Sequence, residues 1–483
     1  MGFLIAALMV AVPLSAAITG PVGVSGGRVV GVVGNDRAVA VFKGLPFAAP
    51  PVGDLRWRAP KSVAAWKGVR KAEQFGNSCI QNVASERKPW TYEFMSHTPV
   101  SEDCLYLNVW TAAKSARDRR PVYVYIHGGA NTEGSGAVPV YDGEGLAKKG
   151  IVVVTVNYRL GVFGFMAHPE LTKESDVRAS GNYALLDLVA ALEWVKENIA
   201  AFGGDPARVT VGGQSAGASN THALVASPLA KGLFRGAVAE SGSSVRSMGA
   251  RPLADGEQLG VKFAAAKGAK SLSEMRALSS EQLMAPVTPP IRFGAVVDGY
   301  FLKDAGAIES DVPTLTGCNK HEGGAVPHPE AVTKPDYAEM TDEFVRLYGG
   351  NGNDAAWDRA RVSMYLWAVN RSRTAKTQAF TYFWDHALPG PDVDKYGAFH
   401  TSEVPYFFDS LGKSDRDFVD MDRKIADRMS GYLVSFVTTG KPGWASVGEK
   451  AAMTMELGDR NEMIPVAGSA EKLAFWEKWF ARR

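Results

Sequence analysis

The five residues Gly213-Gln214-Ser215-Ala216-Gly217 have the types and spacing of a nucleophilic serine held on a tight turn. Val209-Thr210-Val211 before them is typical of a buried strand, and the segment from Ala218 to Ala226 after them is typical of a helix. A serine between a strand and a helix has a strained backbone that exposes its hydroxyl, and the flanking glycines leave room for the turn. The N-terminus of the following helix directs unpaired N–H groups to the place where an oxyanion would form. The pattern therefore predicts Ser215 as a nucleophile for acyl transfer.

A nucleophilic serine needs a histidine base, and the chain has eight histidines. In enzymes with this serine turn the chain order is serine, acid, histidine. His400 lies in a loop, Gly397 to Glu403, that follows a stretch rich in Gly, Pro and Asp, and such loops carry catalytic residues because a rigid scaffold aims them. His400 is therefore the predicted base. The other histidines precede the serine, lie too close to it on its helix, adjoin the acid candidate or end a strand-like run: His97, His127, His168, His222, His321, His328 and His386.

The acid that orients the base is predicted to be Glu322. The segment from Pro313 to Cys318 is typical of a short buried strand, and Glu322 follows it, directly before two glycines. A carboxylate just past the C-terminal end of a strand lies on the functional edge of a parallel sheet. It would accept a hydrogen bond from the imidazole nitrogen that points away from the serine, and it would stabilise the imidazolium. Asp298 and Glu240 are the alternatives.

A loop that would bind the oxyanion precedes the serine. The segment from Val122 to Ile126 is typical of a strand, and His127-Gly128-Gly129-Ala130 follows it. Backbone N–H groups of such a loop act together with the N–H after the nucleophile. Each donor typically contributes about 3–4 kcal/mol of transition-state stabilisation.

These residues, together with four further segments, make the chain similar to the type B carboxylesterases of the α/β-hydrolase fold, the family of cholinesterases and bacterial para-nitrobenzyl esterases. The likeness runs from about Gly26 to the C-terminal region. The segments that carry it are Phe42 to Trp57, Ser101 to Trp110, Asn157 to Phe165 and Phe202 to Pro206.

The resemblance implies Ser215 as nucleophile, Glu322 as acid and His400 as base. It implies three oxyanion donors, Gly129, Ala130 and Ala216, and a neighbouring hydroxyl beside the triad from Ser241. It also implies a disulfide between Cys79 and Cys104 and an ion pair between Arg56 and Glu102.

The chain departs from the family pattern at three positions near the site. Ala130 and Asn131 stand where the family usually has a third glycine and an aromatic or apolar residue, and Gln214 replaces the usual glutamate before the serine. Trp90 lies between the two cysteines, at a different spacing from the tryptophan that binds choline in cholinesterases. A preference for choline esters is therefore not indicated.

Alternating strand-like and helix-like segments predict the fold class. They indicate an α/β fold with a central, mostly parallel twisted sheet, helices on both faces and inserted helices over the active site. We expect residues 18–483 to form a single α/β-hydrolase domain, because no linker, repeat or low-complexity tract divides them.

The composition excludes several partners and cofactors. A net charge of +2 gives no electrostatic footprint for nucleic acid. No Cys/His group has metal-ligand spacing, so no metal or other cofactor is expected. Cys318 is expected to be an inert buried thiol.

The N-terminus resembles a secretory signal peptide. The segment from Phe3 to Ala17 is apolar and ends in Ser15-Ala16-Ala17, a small-residue cleavage site, so residues 1–17 would be removed. It is too short for a confident membrane span, and no stable membrane anchor is expected. Export to the periplasm or the medium agrees with the implied disulfide, which forms in an oxidising compartment.

The expected function is that of a serine carboxylesterase, which hydrolyses small-molecule esters through an acyl-enzyme. Two alternatives stay open at this point. One is a hydrolase of another acyl substrate, such as a lipid, amide, thioester or lactone, and the other is a catalytically silent binding member of the family.

Overall fold

The computed structural model describes residues 18–242, 250–304, 306–323, 340–349, 352–448 and 451–482. The predicted signal peptide, residues 1–17, and His328 lie outside these ranges.

The strands of the described part are short except around the centre of the main sheet. In chain order they are β1 (Val22–Val24), β2 (Gly27–Val30), β3 (Val32–Val33), β4 (Ala40–Pro46), β5 (Val69–Lys71), β6 (Ser78–Cys79), β7 (Val100–Ser101), β8 (Tyr106–Thr111), β9 (Arg120–Ile126), β10 (Val152–Val156), β11 (Gly204–Gln214), β12 (Gly236–Glu240), β13 (Arg251–Pro252), β14 (Val296–Val297), β15 (Thr314–Asn319), β16 (Ala379–Asp385), β17 (Met453–Gly458) and β18 (Glu462–Pro465).

The helices alternate with these strands. They are α1 (Glu144–Lys148), α2 (Gly161–Phe165), α3 (Pro169–Glu174), α4 (Tyr183–Asn198), α5 (Ala216–Val225), α6 (Leu253–Ala266), α7 (Leu272–Ala277), α8 (Ser280–Met284), α9 (Thr341–Tyr348), α10 (Gly352–Ser372), α11 (Val393–Tyr396), α12 (Val404–Phe408), α13 (Asp420–Thr439) and α14 (Ala470–Ala481). Short 3-10 helices lie at Gly53–Leu55, Tyr92–Phe94, Pro139–Tyr141, Ile199–Phe202, Pro228–Ala230 and Leu411–Lys413. None of the helices in the described ranges has the length and apolar character needed to cross a membrane.

One large sheet organises the molecule, with the strand order β18-β17-β16-β15-β12-β11-β9-β10-β8-β4-β3. Every pairing from β17 to β10 is parallel, and the pairings on either side of this block are antiparallel. The predicted central, mostly parallel sheet is therefore confirmed.

Both faces of the central strands are buried, as the alternation along β9 shows. Val122 and Val124 belong to an apolar cluster with residues of α4, such as Leu188. Tyr123 and Tyr125 belong to a second cluster with residues of α12 and α13. A parallel strand covered on both faces has a nearly continuous apolar sequence, and this explains why helices pack on both sides of the sheet.

The predicted strands and helices are present, and their ends move by a few residues. The strand before the serine begins at Gly204, five residues before the predicted Val209. The helix after the serine begins at Ala216, two residues before the predicted Ala218. The turn consists of Ser215 alone, so the helix begins at the next residue.

Candidate functional site

Ser215 is the only residue between β11 and α5. Its backbone has φ 58° and ψ −120°, a conformation that costs a residue with a side chain about 1–3 kcal/mol. The Ser215 N–H donates to the carbonyl of Glu240 on the neighbouring strand at 2.8 Å. The sheet therefore fixes the strained turn, and the hydroxyl is left at its apex.

The two glycines that flank the turn are needed because the backbone passes close by. A Cβ atom on Gly213 would lie 2.4 Å from the carbonyl oxygen of Ile126, and one on Gly217 would lie 2.0 Å from the same atom. Strand β9 would have to move to admit either side chain. The glycine spacing thus reflects the contact between the turn and strand β9, which precedes the predicted oxyanion loop.

Two loops at the C-terminal edge of the sheet bring His400 and Glu322 together. An isolated parallel bridge pairs His321 with Phe399, and the His321 N–H donates to the carbonyl of Ala398 at 3.0 Å. The next residue on each loop is Glu322 and His400, and Nδ1 of His400 is hydrogen-bonded to Oε2 of Glu322. The Asn319 N–H donates to Oε1 of the same carboxylate at 2.7 Å.

The contact between the two side chains sets their pKa values in opposite directions. Burial alone would lower the pKa of His400, but the charge of Glu322 and the hydrogen bond to it raise that pKa above its ordinary value. Burial would raise the pKa of Glu322, but His400 and the Asn319 N–H lower it. The carboxylate is therefore ionised near neutral pH and holds the proton of the neutral imidazole on Nδ1.

The alternative acids have other partners. Asp298 accepts hydrogen bonds from the Asn182 side chain at 2.9 Å and from the backbone N–H of Leu302 at 2.9 Å, and so holds a turn. Glu240 is fully buried and accepts from the Tyr123 hydroxyl at 3.3 Å. Of the three carboxylates, Glu322 is the one that contacts His400.

The other described histidines lie outside the contact between His400 and Glu322 and have neighbours of their own. Burial lowers the pKa of His127, His222 and His321 to about 4. His386 bridges Asp422 and Asp459. The remaining two contact nearby backbone, His97 the carbonyl of Tyr92 and His168 the N–H of Glu170.

The predicted oxyanion loop has an unusual backbone. Gly129 has φ +101°, and Ala130 and Asn131 have φ +54° and +59°. The Asn220 side chain on α5 donates to the Asn131 side chain at 2.9 Å and holds the loop against the serine helix. Ala130 thus tolerates its Cβ in the left-handed region, where its usual glycine counterpart would carry less strain.

Three N–H groups near Ser215 are available to a ligand. Within the described ranges, the N–H groups of Gly129 and Ala130 make no hydrogen bond. Ala216 is the first residue of α5, where N–H groups have no partner inside the helix.

A buried carboxylate that the sequence analysis did not identify lies behind Glu322. Glu403 is fully buried and accepts hydrogen bonds from the Ser241 hydroxyl at 3.3 Å and from the Asn319 side chain. Burial and the charge of Glu322 raise the pKa of Glu403 to about 7. The Ser241 hydroxyl therefore lies close to both carboxylates, since a hydrogen bond from it also lowers the pKa of Glu322. The one sequence signal for Glu403 was that it lies three residues after the predicted base.

Two further contacts to His400 were not foreseen. The Nε2 atom of the Gln214 side chain lies 3.2 Å from Nε2 of His400. The indole N–H of Trp90 donates to the carbonyl of His400 at 3.0 Å and to the Thr401 hydroxyl at 2.9 Å. The described structure contains no hydrogen bond between Ser215 and His400.

A cavity of about 260 Å³ opens over these groups. Its lining includes Ser215, His400, Gly129, Ala130, and part of the segment between Cys79 and Cys104. A second cavity of about 540 Å³ lies beside it and is lined mainly by apolar side chains, among them residues of α6 and α8. Asn82, Arg87, Ala130 and Glu133 line both cavities.

The segment between the two cysteines is held in place covalently and by polar contacts. The expected Cys79–Cys104 disulfide is present. The expected ion pair is also present, with Nε of Arg56 2.7 Å from Oε2 of Glu102.

Cys318 is a buried free thiol, as expected. Among the described residues, no cluster of three or more His, Cys, Asp or Glu side chains could hold a metal ion.

Comparison with known proteins gives one family and several close relatives. The sequence model of the carboxylesterase family matches residues 18–348 and 353–476. The chain is 38% identical to fumonisin B1 esterase of Sphingopyxis macrogoltabida over 86% of this chain and 81% of that protein. It is 37% identical to human cocaine esterase over 94% and 89% of the two chains. It is 32% identical to the para-nitrobenzyl esterase of Bacillus subtilis (strain 168) over 86% and 89%.

Proposed function

Because this chain belongs to the carboxylesterase family, has its α/β-hydrolase fold and is a carboxylic ester hydrolase, we propose that Ser215, His400 and Glu322 form its catalytic triad. The observation that carries this proposal is the hydrogen bond between His400 and Glu322 in a cavity that Ser215 also lines. The strained turn at Ser215 supports it, since such strain is concentrated at functional sites.

The reaction proceeds by two acyl transfers. Nε2 of His400 takes the Ser215 proton as the serine oxygen bonds to the ester carbonyl carbon. The carbonyl oxygen becomes an oxyanion, which accepts hydrogen bonds from the N–H groups of Gly129, Ala130 and Ala216. The bond to the alcohol oxygen then breaks, and the alcohol leaves with the proton from His400. Water repeats the sequence on the acyl-enzyme, releases the acid and restores the Ser215 hydroxyl.

Glu322 provides the negative charge that orients and stabilises the proposed base. Ionised Glu322 fixes the Nδ1–H tautomer and stabilises the imidazolium that forms in each step. Since the pKa of His400 is raised, kcat/KM should rise with pH through a midpoint above the ordinary histidine value of 6.5. Above that midpoint the base is neutral and competent.

The substrate is a small-molecule carboxylic ester whose reacting carbonyl lies in the 260 Å³ cavity. All three relatives compared above are named esterases. The first cavity suits a short acyl or alcohol group, and the adjoining apolar cavity of about 540 Å³ offers room for a longer one.

Hydrolysis of p-nitrophenyl esters from acetate to palmitate tests the proposal. Ser215→Ala should lower kcat by at least about 10⁴-fold, because triad residues act as a unit. Ser435→Ala is the matched control and should keep full activity, since Ser435 lies on α13 and its hydroxyl donates to the Lys441 carbonyl, away from both cavities. A Ser215→Ala variant with wild-type turnover would refute the assignment.

We further propose that residues 1–17 are a signal peptide and that the mature chain, 18–483, is exported as one domain. The family match begins at residue 18, and the disulfide is compatible with an oxidising compartment. N-terminal sequencing of protein recovered outside the cytoplasm should begin at Ile18. A single cooperative unfolding transition of that mature chain would support one domain.

A further inference from the structure

The contact between Gln214 and His400 concerns the one atom of the base that the proposed reaction uses. Gln214 ends β11, directly before Ser215, and its side chain is 1% exposed. Its carboxamide nitrogen lies 3.2 Å from Nε2 of His400. The family usually has glutamate at this position, so this chain has an amide where most members of the family have a carboxylate.

The direction of this hydrogen bond follows from the rest of the ring. Nδ1 of His400 is hydrogen-bonded to ionised Glu322, which has no proton to give, so Nδ1 carries the proton. Neutral His400 therefore has its lone pair on Nε2, and the amide N–H of Gln214 donates to it. The carboxamide oxygen lies near Gly128, where an added Cβ atom would be 2.9 Å from it.

This hydrogen bond exists only for the neutral ring. When Nε2 takes a proton, two N–H groups would face each other, and the contact is lost unless the carboxamide turns. The Gln214 amide therefore favours the form of His400 that acts as a base, whereas Glu322 favours the charged form. The amide and the Ser215 hydroxyl also compete for the same lone pair, and in this structure the amide holds it.

We propose that Gln214 is a positioning residue, which holds neutral His400 through Nε2 in the resting enzyme and lowers the pH at which the base becomes available. The inference rests on the proposed function, because it assigns Nε2 of His400 the role of proton acceptor. The other groups that face His400 are Glu322 after β15, Glu403 directly before α12 and the indole edge of Trp90. None of these contacts Nε2 in the described structure.

The test is the pH dependence of kcat/KM with p-nitrophenyl acetate from about pH 4.5 to 9, which spans the histidine range. Gln214→Met keeps the length of the side chain and removes the N–H donor. Its midpoint should rise by about 0.5 to 1 pH unit, the value of one hydrogen bond to the neutral ring. Gln214→Glu should raise the midpoint further, by about 1 to 3 units, because a carboxylate there stabilises the imidazolium.

Gln81→Met is the matched control, since Gln81 is a buried glutamine lining the same cavity, and its side-chain nitrogen donates to the backbone of Gly134 and not to His400. Whatever it does to the rate, its midpoint should equal that of the wild type. A uniform loss of rate in both Gln214 variants with an unmoved midpoint, or an equal shift in Gln81→Met, would overturn the inference. Gln214→Glu is nearly isosteric with the native side chain and keeps the test decisive if the methionine variant fails to fold.

The inference and the proposed function fail in different ways. Activity that survives Ser215→Ala would refute the triad itself. Activity that depends on Ser215 but has the same midpoint with Gln, Met and Glu at position 214 would refute only the role of Gln214.

Discussion

Removing the Cys79–Cys104 disulfide should weaken both the fold and the site, because the segment it closes forms one wall of the cavity. The double variant Cys79→Ala/Cys104→Ala is the suitable perturbation, since both sulfurs are buried and alanine adds no unsatisfied polar group there. Trp90 lies within the segment and donates to the carbonyl of His400. Loosening the segment therefore acts directly on the loop that carries His400, the proposed base.

The expected loss of stability follows from the length of the closed segment. A sequence separation of 25 residues gives about 3.5 kcal/mol in the chain-entropy model. The expected kinetic effect is smaller. Loss of the ordered Trp90 hydrogen bond is worth about 0.5–1.5 kcal/mol, or about a 2- to 10-fold fall in kcat/KM.

Urea unfolding of the mature chain measures the first quantity, and p-nitrophenyl acetate hydrolysis measures the second. Reductant should reproduce both effects in the wild type and have no effect on the double variant, which is the internal control. Trp90→Phe should reproduce the kinetic loss with the disulfide intact. A double variant within about 1 kcal/mol of wild type would contradict the chain-entropy reasoning, and unchanged kcat/KM would show that the segment does not act on His400.

Two further predictions concern buried and exposed charges near the site. Because the pKa of Glu403 is raised from 4.5 to about 7, the folded state keeps a proton that the unfolded state loses between those values, and stability should fall as pH rises through this window. Glu403→Gln should remove that fall, so that at pH 8 its free energy of unfolding in urea exceeds that of the wild type by up to about 3 kcal/mol. The same dependence of unfolding free energy on pH in both proteins would contradict this prediction. Arg87 forms a bidentate pair with Glu133 at 2.6 and 2.8 Å, and both line the two cavities. Arg87→Met should raise kcat/KM for long relative to short esters. It should change the free energy of unfolding by less than about 1 kcal/mol, since the pair is exposed. The control Arg58→Met breaks an exposed pair outside both cavities and should leave the ester preference unchanged.

The main sheet could be predicted because its central strands are apolar on both faces and are separated by helical patterns. The segment from Val122 to Ile126, for example, was predicted as a strand and ends where β9 ends. The start of β11 was missed because the segment from Gly204 to Arg208 contains Asp and Pro and does not look like a strand. Its pairing with β9 shifts register between Gly204 and Val209, and only the neighbouring strand shows that the chain is extended there.

The strands that precede Ser215, the loop from His127 to Ala130 and Glu322 could be predicted from local sequence, and with them the place of these residues at the edge of the sheet. The contacts among distant loops could not be predicted in this way. Gln214 and His400 are 186 residues apart, and Trp90 and His400 are 310 residues apart. Glu403 lies three residues from His400, but its importance comes from burial, and a glutamate in a loop is ordinarily exposed.

Position 214 shows why the site needs atomic contacts as well as residue types. Sequence alone reveals that glutamine replaces the family's usual glutamate and removes a charge. The structure adds that the amide nitrogen lies 3.2 Å from Nε2 of His400, the atom that we propose as the proton acceptor. A carboxylate at this point would stabilise the imidazolium, as Glu322 does from the other side of the ring, whereas an amide donor stabilises the neutral base. The substitution therefore reverses which protonation state of His400 is favoured by the residue before Ser215. An enzyme with one anionic partner on its base should keep activity to lower pH than a relative with two.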